Sequence, residues 1–409
     1  MYNVYQHWDP LKVCIVGKSY PPELYSFIKN SRVRSVMERI AIETEEDYQS
    51  LINLLESFGV KVLRPKIHND LSKYLSGGRY IVPPMTPRDY SATIGTDFYF
   101  GQGVPQQFKW NQIRGASWPE QAPATYQEAL NLPKDVLANL ASFGYILDEY
   151  TWSDVLDDVA AQGNKIILNE GYNTACMTRV GKDLYHGTGY EYDNLASFEE
   201  DLQKYKLKFP NYRNSIVNTG GHSDASYCPV VPGLIVSLSH IPTYKESFPG
   251  WEVIYLPNQS WDMVKPFLDL KQKNKGKWWV PGAELNDDFT DFVESWLGHW
   301  VGYVEETVFD VNMLVIDEKN VVCNNYNKQV FDAFERRGIT PHVVNFRHRY
   351  FWDGGLHCVT ADVHREGSIK DYFPERGLDG YLPYLGRQNP RVLGQAMDRK
   401  LKGISGPIG

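Results

Sequence analysis

The sequence predicts an α/β protein of five similar β-rich units, each with a helix, set radially around a shared centre. Three observations predict it. Short apolar stretches of strand length alternate with amphipathic stretches of helix length. A phrase of polar residue, apolar strand, tight turn and second strand recurs, led in turn by Asp89, Asn173, His222, Asp310 and Cys358. The chain has 409 residues, so five units take about 80 each, below the usual size of an independent domain. That favours a single closed propeller domain over residues 1–409. A mixed α/β sheet whose turns merely look alike is the alternative reading of the same periodicity.

Taken in order, Lys12 to Val16 reads as a strand ending at Gly17. Glu45 to Phe58 has acids at its start and Leu51, Leu54, Leu55 and Phe58 near helical spacing, and it stops at Gly59. Val60 to Leu63 resumes as a strand before Pro65. Helix, glycine and strand follow one another again from Val330 to Arg337, through Gly338, into Thr340 to Phe346. A further segment passes through Gly250 into a strand from Trp251 to Leu256. The five leading phrases run from Asp89 through Gly95 to Phe100, from Asn173 through Gly181 to Tyr185, from His222 through Gly233 to Leu238, from Asp310 through Asp317 to Val322, and from Cys358 onward. Gly101 to Pro133 is rich in Gln, Pro, Trp and Ala and lacks a period, which predicts an insertion or long loop.

Composition narrows the function. Lys and Arg number 42 against 50 Asp and Glu, a net charge of −8 with the signs interspersed. Polyanion binding needs clustered positive charge, so no nucleic-acid partner is expected. No apolar run approaches the roughly 18 residues that span a bilayer, and the first residues lack a signal-peptide pattern, so a cytoplasmic protein without a membrane partner is expected. The five cysteines (Cys14, Cys176, Cys228, Cys323 and Cys358) are odd in number and never paired as C-x-x-C, which argues against a disulfide framework or thiolate zinc site.

Gly17-Lys18-Ser19 lacks the earlier glycine of a phosphate loop, and Gly187-Thr188-Gly189 lacks the third glycine of a dinucleotide fingerprint; both read as turns. Gly220-Gly221-His222-Ser223-Asp224 is more telling. Paired glycines let backbone approach a ligand, and an imidazole beside a carboxylate suits proton transfer next to a bound cation, or a pair of metal ligands. Asp353-Gly354-Gly355-Leu356-His357-Cys358 has the same construction and delivers a thiol. Two similar turns thus bring the nucleophile and base of covalent catalysis. Pro83-Pro84-Met85-Thr86-Pro87-Arg88-Asp89 stiffens the approach to a third carboxylate-bearing turn. Asp89 and Asp224 converging on one Cys and one His would receive a planar cation, because guanidinium donors match carboxylates in bidentate geometry.

In order along the chain, Thr86-Pro87-Arg88-Asp89, Asn173 with Gly181-Lys182-Asp183, His222-Ser223-Asp224-Ala225, Asn312-Met313-Leu314-Val315-Ile316-Asp317-Glu318-Lys319 and Gly354 to Arg365 resemble the amidinotransferases, typified by arginine:glycine amidinotransferase. The resemblance runs to about Gly367. It implies the five-bladed α/β-propeller, or pentein, of pseudo-repeated ββαβ units. It further implies that Cys358 carries the amidino group of arginine to an amine acceptor, glycine or another primary amine, releasing ornithine. His222 would transfer protons with Asn173 beside it, Asp89, Asp224, Arg88 and Gly355 would line the substrate site, and no metal or cofactor would be needed. Relatives are commonly homodimers, which is the expectation here.

The chain departs from the family pattern in three places. Asn173 stands where the family has an acid; it would still accept a hydrogen bond from the imidazole but cannot offset imidazolium charge. Glu170 is the alternative acid. The family arginine that grips the substrate carboxylate falls near Ile241, and its paired serines fall on Glu305 and Glu306, which would suit a second positive group on the substrate. These departures keep open an arginine hydrolase of the same fold and a binding module for guanidino compounds. A metal-dependent enzyme resting on His222 and Asp224 is a remoter option.

Overall fold

The computed structural model describes residues 1–70, 75–76, 79–80, 83–101, 107–142, 151–168, 173–188, 195–219, 222–238, 244–256, 280–283, 285–297 and 310–377. In chain order the strands are β1 (Leu11–Val16), β2 (Lys61–Leu63), the short hairpin β3 (Leu75–Ser76) and β4 (Arg79–Tyr80), β5 (Ser91–Ile94), β6 (Asp97–Phe100), β7 (Lys165–Leu168), β8 (Met177–Val180), β9 (Asp183–Thr188) and β10 (Arg213–Asn218). They continue with β11 (Tyr227–Val231), β12 (Leu234–Ser237), β13 (Glu252–Tyr255), β14 (Leu314–Asp317), β15 (Asn320–Cys323), β16 (Thr340–Val343) and β17 (Thr360–Arg365).

Apart from the small β3–β4 hairpin, these strands form five three-stranded sheets of one design. In each, two antiparallel strands are followed by helix and then by a third strand parallel to the second. The parallel step needs a crossover, which a helix supplies. The first sheet is closed from both ends of the sequence. β17 pairs antiparallel with β1, Ile15 facing Ala361, while β2 lies parallel on the other side of β1, Val13 facing Lys61. This is the five-bladed α/β-propeller of ββαβ units, and the mixed single sheet is excluded by the separation of its sheets.

The recurring helix–glycine–strand order has a local cause. After helix Ser31–Ser57 the Gly59 and Val60 amides reach back to the carbonyls of Glu56 and Leu55, with Gly59 at φ 73°. After helix Lys328–Arg336, Gly338 and Ile339 repeat the pattern onto Glu335 and Phe334, with Gly338 at φ 67°. Only glycine enters that left-handed position without strain, and the paired bonds satisfy the helix-end carbonyls while aiming the chain into the next strand.

Two expectations are corrected. The first helix begins at Ser31 rather than Glu45, because the Asn30 side chain caps the Arg32 and Val33 amides and Val33, Met37, Ile40, Ala41 and Thr44 continue the buried stripe. The stretch from Gly101 is not a bare loop. Its described part holds helices Gln107–Ile113 and Tyr126–Leu130, the second opened by a reciprocal Thr125–Glu128 capping box. Trp110 and Trp118 pack 5.1 Å apart in the same core cluster as Val13, Phe98 and Val363, so these residues thicken a blade. Among the described residues, no helix is long and apolar enough to cross a membrane.

Candidate active site

Each sheet is entered through a turn that carries a polar leader. Asp89 ends a 3-10 turn ahead of β5, Asn173 and His222 open such turns ahead of β8 and β11, Asn312 stands two residues before β14, and Cys358 two before β17. Hydrogen bonds join these turns into a closed ring. The Thr174 hydroxyl donates to the Arg88 carbonyl (2.5 Å), Ser223 to the Cys176 carbonyl (2.9 Å), and the Asn312 amide to the Asp224 carbonyl (3.2 Å). The Cys358 amide donates to Asn312 Oδ1 (3.2 Å), and the Arg88 amide closes the circuit on the Cys358 carbonyl (3.4 Å).

Cys358 is buried, its Sγ 3.3 Å from Asp224 Oδ2 and 3.1 Å from Asn312 Nδ2. Burial, then the charges of Asp224 and Asp89, push the thiol well above its usual pKa, and the bond from Asn312 works against them. The turn that presents it depends on Asp353, left-handed at φ 51°, and on Gly354, where a Cβ would sit 3.2 Å from the Thr86 methyl. Gly355 accepts the Val359 amide (3.0 Å) through its carbonyl and so shapes the turn.

Asp224 is held as a carboxylate. Burial alone would raise it, but the 2.7 Å bond from His357 Nδ1 and nearby positive charge bring it below the usual range. Burial, then the charge of Arg88, lower the pKa of His357 itself, with the bond to Asp224 opposing. Burial raises Asp89, with the nearby His222 opposing. Asp89 Oδ1 and Asp224 Oδ1 are both buried and have no hydrogen-bond partner among the described residues. A carboxylate oxygen in that state costs free energy until a donor arrives, and a planar cation carries several.

His222 Nδ1 lies 3.9 Å from Asp89 Oδ1, and its Nε2 lies 2.5 Å from Asn173 Nδ2. The expectation that Asn173 accepts from the imidazole is corrected: its Oδ1 is already occupied by the Ala175 amide (2.9 Å), so its NH2 faces the ring.

Arg88 is also placed differently from the expectation. A 3-10 turn sends successive side chains in directions about a third of a turn apart, so Arg88 and Asp89 diverge. Arg88 runs into the core, donating to Asp362 Oδ1 (2.5 Å) and to the Thr360 carbonyl (3.0 Å). Its charge still lowers the pKa values of Asp89 and Asp224 from behind. Glu305, Glu306, Ile241 and Glu170 lie outside the described residues.

Two residues of the site escaped the sequence reading. Asn312 uses its whole amide: Oδ1 accepts from the His357 and Cys358 amides, and Nδ2 donates to Asp224 and to the thiol. His357 is the bond that fixes Asp224. A cavity lined by Asp224, His357, His7, Tyr227 and Arg365 adjoins the site without reaching Cys358 or Asp89. Among the described residues, no group of three or more His, Cys, Asp or Glu side chains is arranged to hold a metal ion. Because Asp224 raises the thiol, Asp224→Asn is expected to move Cys358 reactivity to lower pH, by about one to three units for a charge at this range. The pH dependence of iodoacetamide alkylation at Cys358 measures it, and an unmoved or upward midpoint contradicts the assignment.

Five α/β blades that meet around a thiol, an imidazole and two carboxylates define the class: a five-bladed α/β-propeller protein. Comparison with known proteins agrees. The chain is 22% identical to the L-arginine:L-lysine amidinotransferase of Pseudomonas savastanoi pv. phaseolicola, over 90% of this chain and 95% of that protein. It is 23% identical to the mitochondrial glycine amidinotransferase of Xenopus tropicalis, over 90% and 84% respectively. Two solved structures share the fold: SxtG, an amidinotransferase from Microseira wollei in the saxitoxin biosynthetic pathway (TM-score 0.53, 16% identity, 91% of this chain and 99% of that one), and the inosamine-phosphate amidinotransferase of Streptomyces griseus (TM-score 0.52, 18% identity, the same coverage). No protein-family model matches. The chain is similar to these amidinotransferases along nine-tenths of its length.

Proposed function

We propose that the protein is an amidinotransferase that moves the amidino group of L-arginine through Cys358 to an amine acceptor, releasing ornithine. The observation that carries this reading is the pair of buried, unsatisfied oxygens on Asp89 and Asp224 beside the thiol. A guanidinium bridging them would satisfy both and bring its central carbon to Sγ. It would also cancel the carboxylate charges that hold the thiol up, so the cation itself favours the thiolate.

Cys358 gives its proton to His222 as its sulfur attacks the guanidinium carbon, and the C–N bond to ornithine breaks as that nitrogen takes the proton from His222. An S-amidino cysteine remains. The incoming amine passes a proton to His222 and attacks the same carbon; the C–S bond breaks and the thiolate returns. No external oxidant or group carrier enters this balance. The acceptors in the names of the relatives, lysine, glycine and an inosamine phosphate, define the amines to try first.

Incubation with arginine alone is expected to add one amidino group to the Cys358 peptide, seen by mass spectrometry. Adding glycine, lysine or a diamine is expected to give ornithine and a guanidino product. Arginine left intact with every amine sinks the reading. Ammonia or urea released without an acceptor assigns the protein to the hydrolases of this fold instead, a reading that Asn173 in place of an acid favours.

A further inference from the structure

Asn173 and His222 make a pair whose polarity is set by the backbone. Asn173 opens the 3-10 turn Thr174–Cys176, and its side-chain carbonyl caps that turn on the Ala175 amide at 2.9 Å. The amide therefore has only its NH2 left to offer, and this group meets His222 Nε2 at 2.5 Å. An NH2 is a donor without acceptor capacity, so the ring nitrogen facing it must present its lone pair. The proton of the neutral imidazole then sits on Nδ1, the nitrogen 3.9 Å from Asp89 Oδ1.

We propose that Asn173 holds His222 in the Nδ1–H tautomer at rest, and that His222 becomes a proton acceptor toward substrate only when the Asn173 amide turns over and gives up its cap on Ala175. The inference rests on the reading of His222 as the proton-transfer group. Its chemical logic is the reverse of a carboxylate at the same place. A carboxylate accepts from Nε2–H, leaves Nδ1 as the free base, and stabilises the imidazolium; an NH2 facing Nε2 opposes both. Asp89, from the turn before β5, and Asp224, two residues along its own turn, are within electrostatic reach of the ring. Asn173 is a positioning residue: it acts on the ring and not on the substrate.

The consequence for the cycle is a cost at each proton uptake. Turning the amide breaks the Ala175 cap, and a lost N-cap bond of this kind is worth a few-fold to about thirtyfold in an equilibrium constant. The Asn173→Asp variant escapes this requirement, because one carboxylate oxygen can cap Ala175 while the other accepts from the ring.

The test uses the intact protein labelled with 15N at histidine, the His222 signal being the one missing from His222→Gln. At neutral pH the wild type is expected to show the pattern of a protonated Nδ1 and an unprotonated Nε2. Asn173→Asp is expected to reverse the tautomer and raise the ring's titration midpoint by about one to three units, the range for a carboxylate placed against a titrating group. Asn173→Ala removes the donor without adding charge and is expected to abolish the Nδ1–H preference with a smaller rise; it also decides the matter if the Asp variant fails to fold. A wild-type ring protonated at Nε2, or a tautomer unmoved in both variants, overturns the inference. The spectrum needs no turnover, so it is read independently of whether arginine and an amine react. With turnover in hand, the acid limb of the ornithine-formation profile is expected to follow the ring midpoint upward in Asn173→Asp.

Discussion

Cys358→Ala is expected to abolish amidino transfer while leaving arginine binding close to wild type. The split follows from the division of labour in the site. In the proposed mechanism the guanidinium is gripped by Asp89 and Asp224, whose buried oxygens are untouched by the substitution, whereas the bond to carbon would be made by Sγ alone. Removing the atom that forms a covalent intermediate leaves only positioning, and such losses run on the order of 10⁴-fold or more in turnover. Binding should even tighten slightly, since a methyl group replaces a thiol that competes for Asp224. Calorimetric titration with arginine, beside ornithine release from arginine plus an amine, checks both halves. Turnover within tenfold of wild type removes the covalent mechanism; binding lost together with turnover moves Cys358 from chemistry to substrate grip.

Asp362→Asn is expected to be the most damaging single change to the fold. This fully buried carboxylate receives Arg88 (2.5 Å), Arg179 (2.7 Å) and Arg365 (2.7 Å). The three arginines are otherwise spent on backbone carbonyls of Thr360, Thr93, Asp9 and Val315. Breaking one partner of a buried ion pair costs about 3–5 kcal/mol because the remaining charge stays uncompensated, and here three would be left. Against a total stability of about 5–15 kcal/mol, that brings the protein to the edge of unfolding. Chemical denaturation midpoints measure it, and a change under 1 kcal/mol would show that the cluster is held by the carbonyls. The same carboxylate gives a pH signature. Burial would raise its pKa, but Arg179, Arg88 and Arg365 hold it well below the usual carboxylate range in the folded protein. Its contribution is thus fully present above the unfolded value near 4 and fades only as pH falls toward the lower folded value. In Asp362→Asn that part of the acid-unfolding curve should flatten.

The repeat was legible because each blade repeats its chemistry in one order: a polar leader, a hairpin, a helix and a glycine exit. Asp89, His222, Asp224 and Cys358 stood out since each pairs a reactive side chain with a stiff or glycine-rich turn. Asn312 was missed because the fourth phrase was started at Asp310, two residues early. Counting back from the strand would have found it, for Asp89, Asn312 and Cys358 each stand two residues before their strands. The direction in which adjacent side chains leave a 3-10 turn was not legible, so Arg88 was placed with substrate when it belongs to Asp362. Nor was the polarity of Asn173, which depends on a cap to Ala175 that letters alone do not record. The helices after Gly101 lacked a period because Trp110 and Trp118 dock through a few large rings and not through a continuous stripe.

The pairing of β17 with β1 also sets a time order during synthesis. A ribosome adds about 5–20 residues per second, and domains fold as their segments emerge. Until Thr360–Arg365 is available, β1 has an open edge where its antiparallel neighbour belongs, and the site has carboxylates and an imidazole but no thiol. Cys358 arrives with the strand that completes the first blade. A nascent chain without this strand also lacks Asp362, so Arg88 and Arg179 have no carboxylate to meet and the ring of turns is completed only when β17 reaches β1.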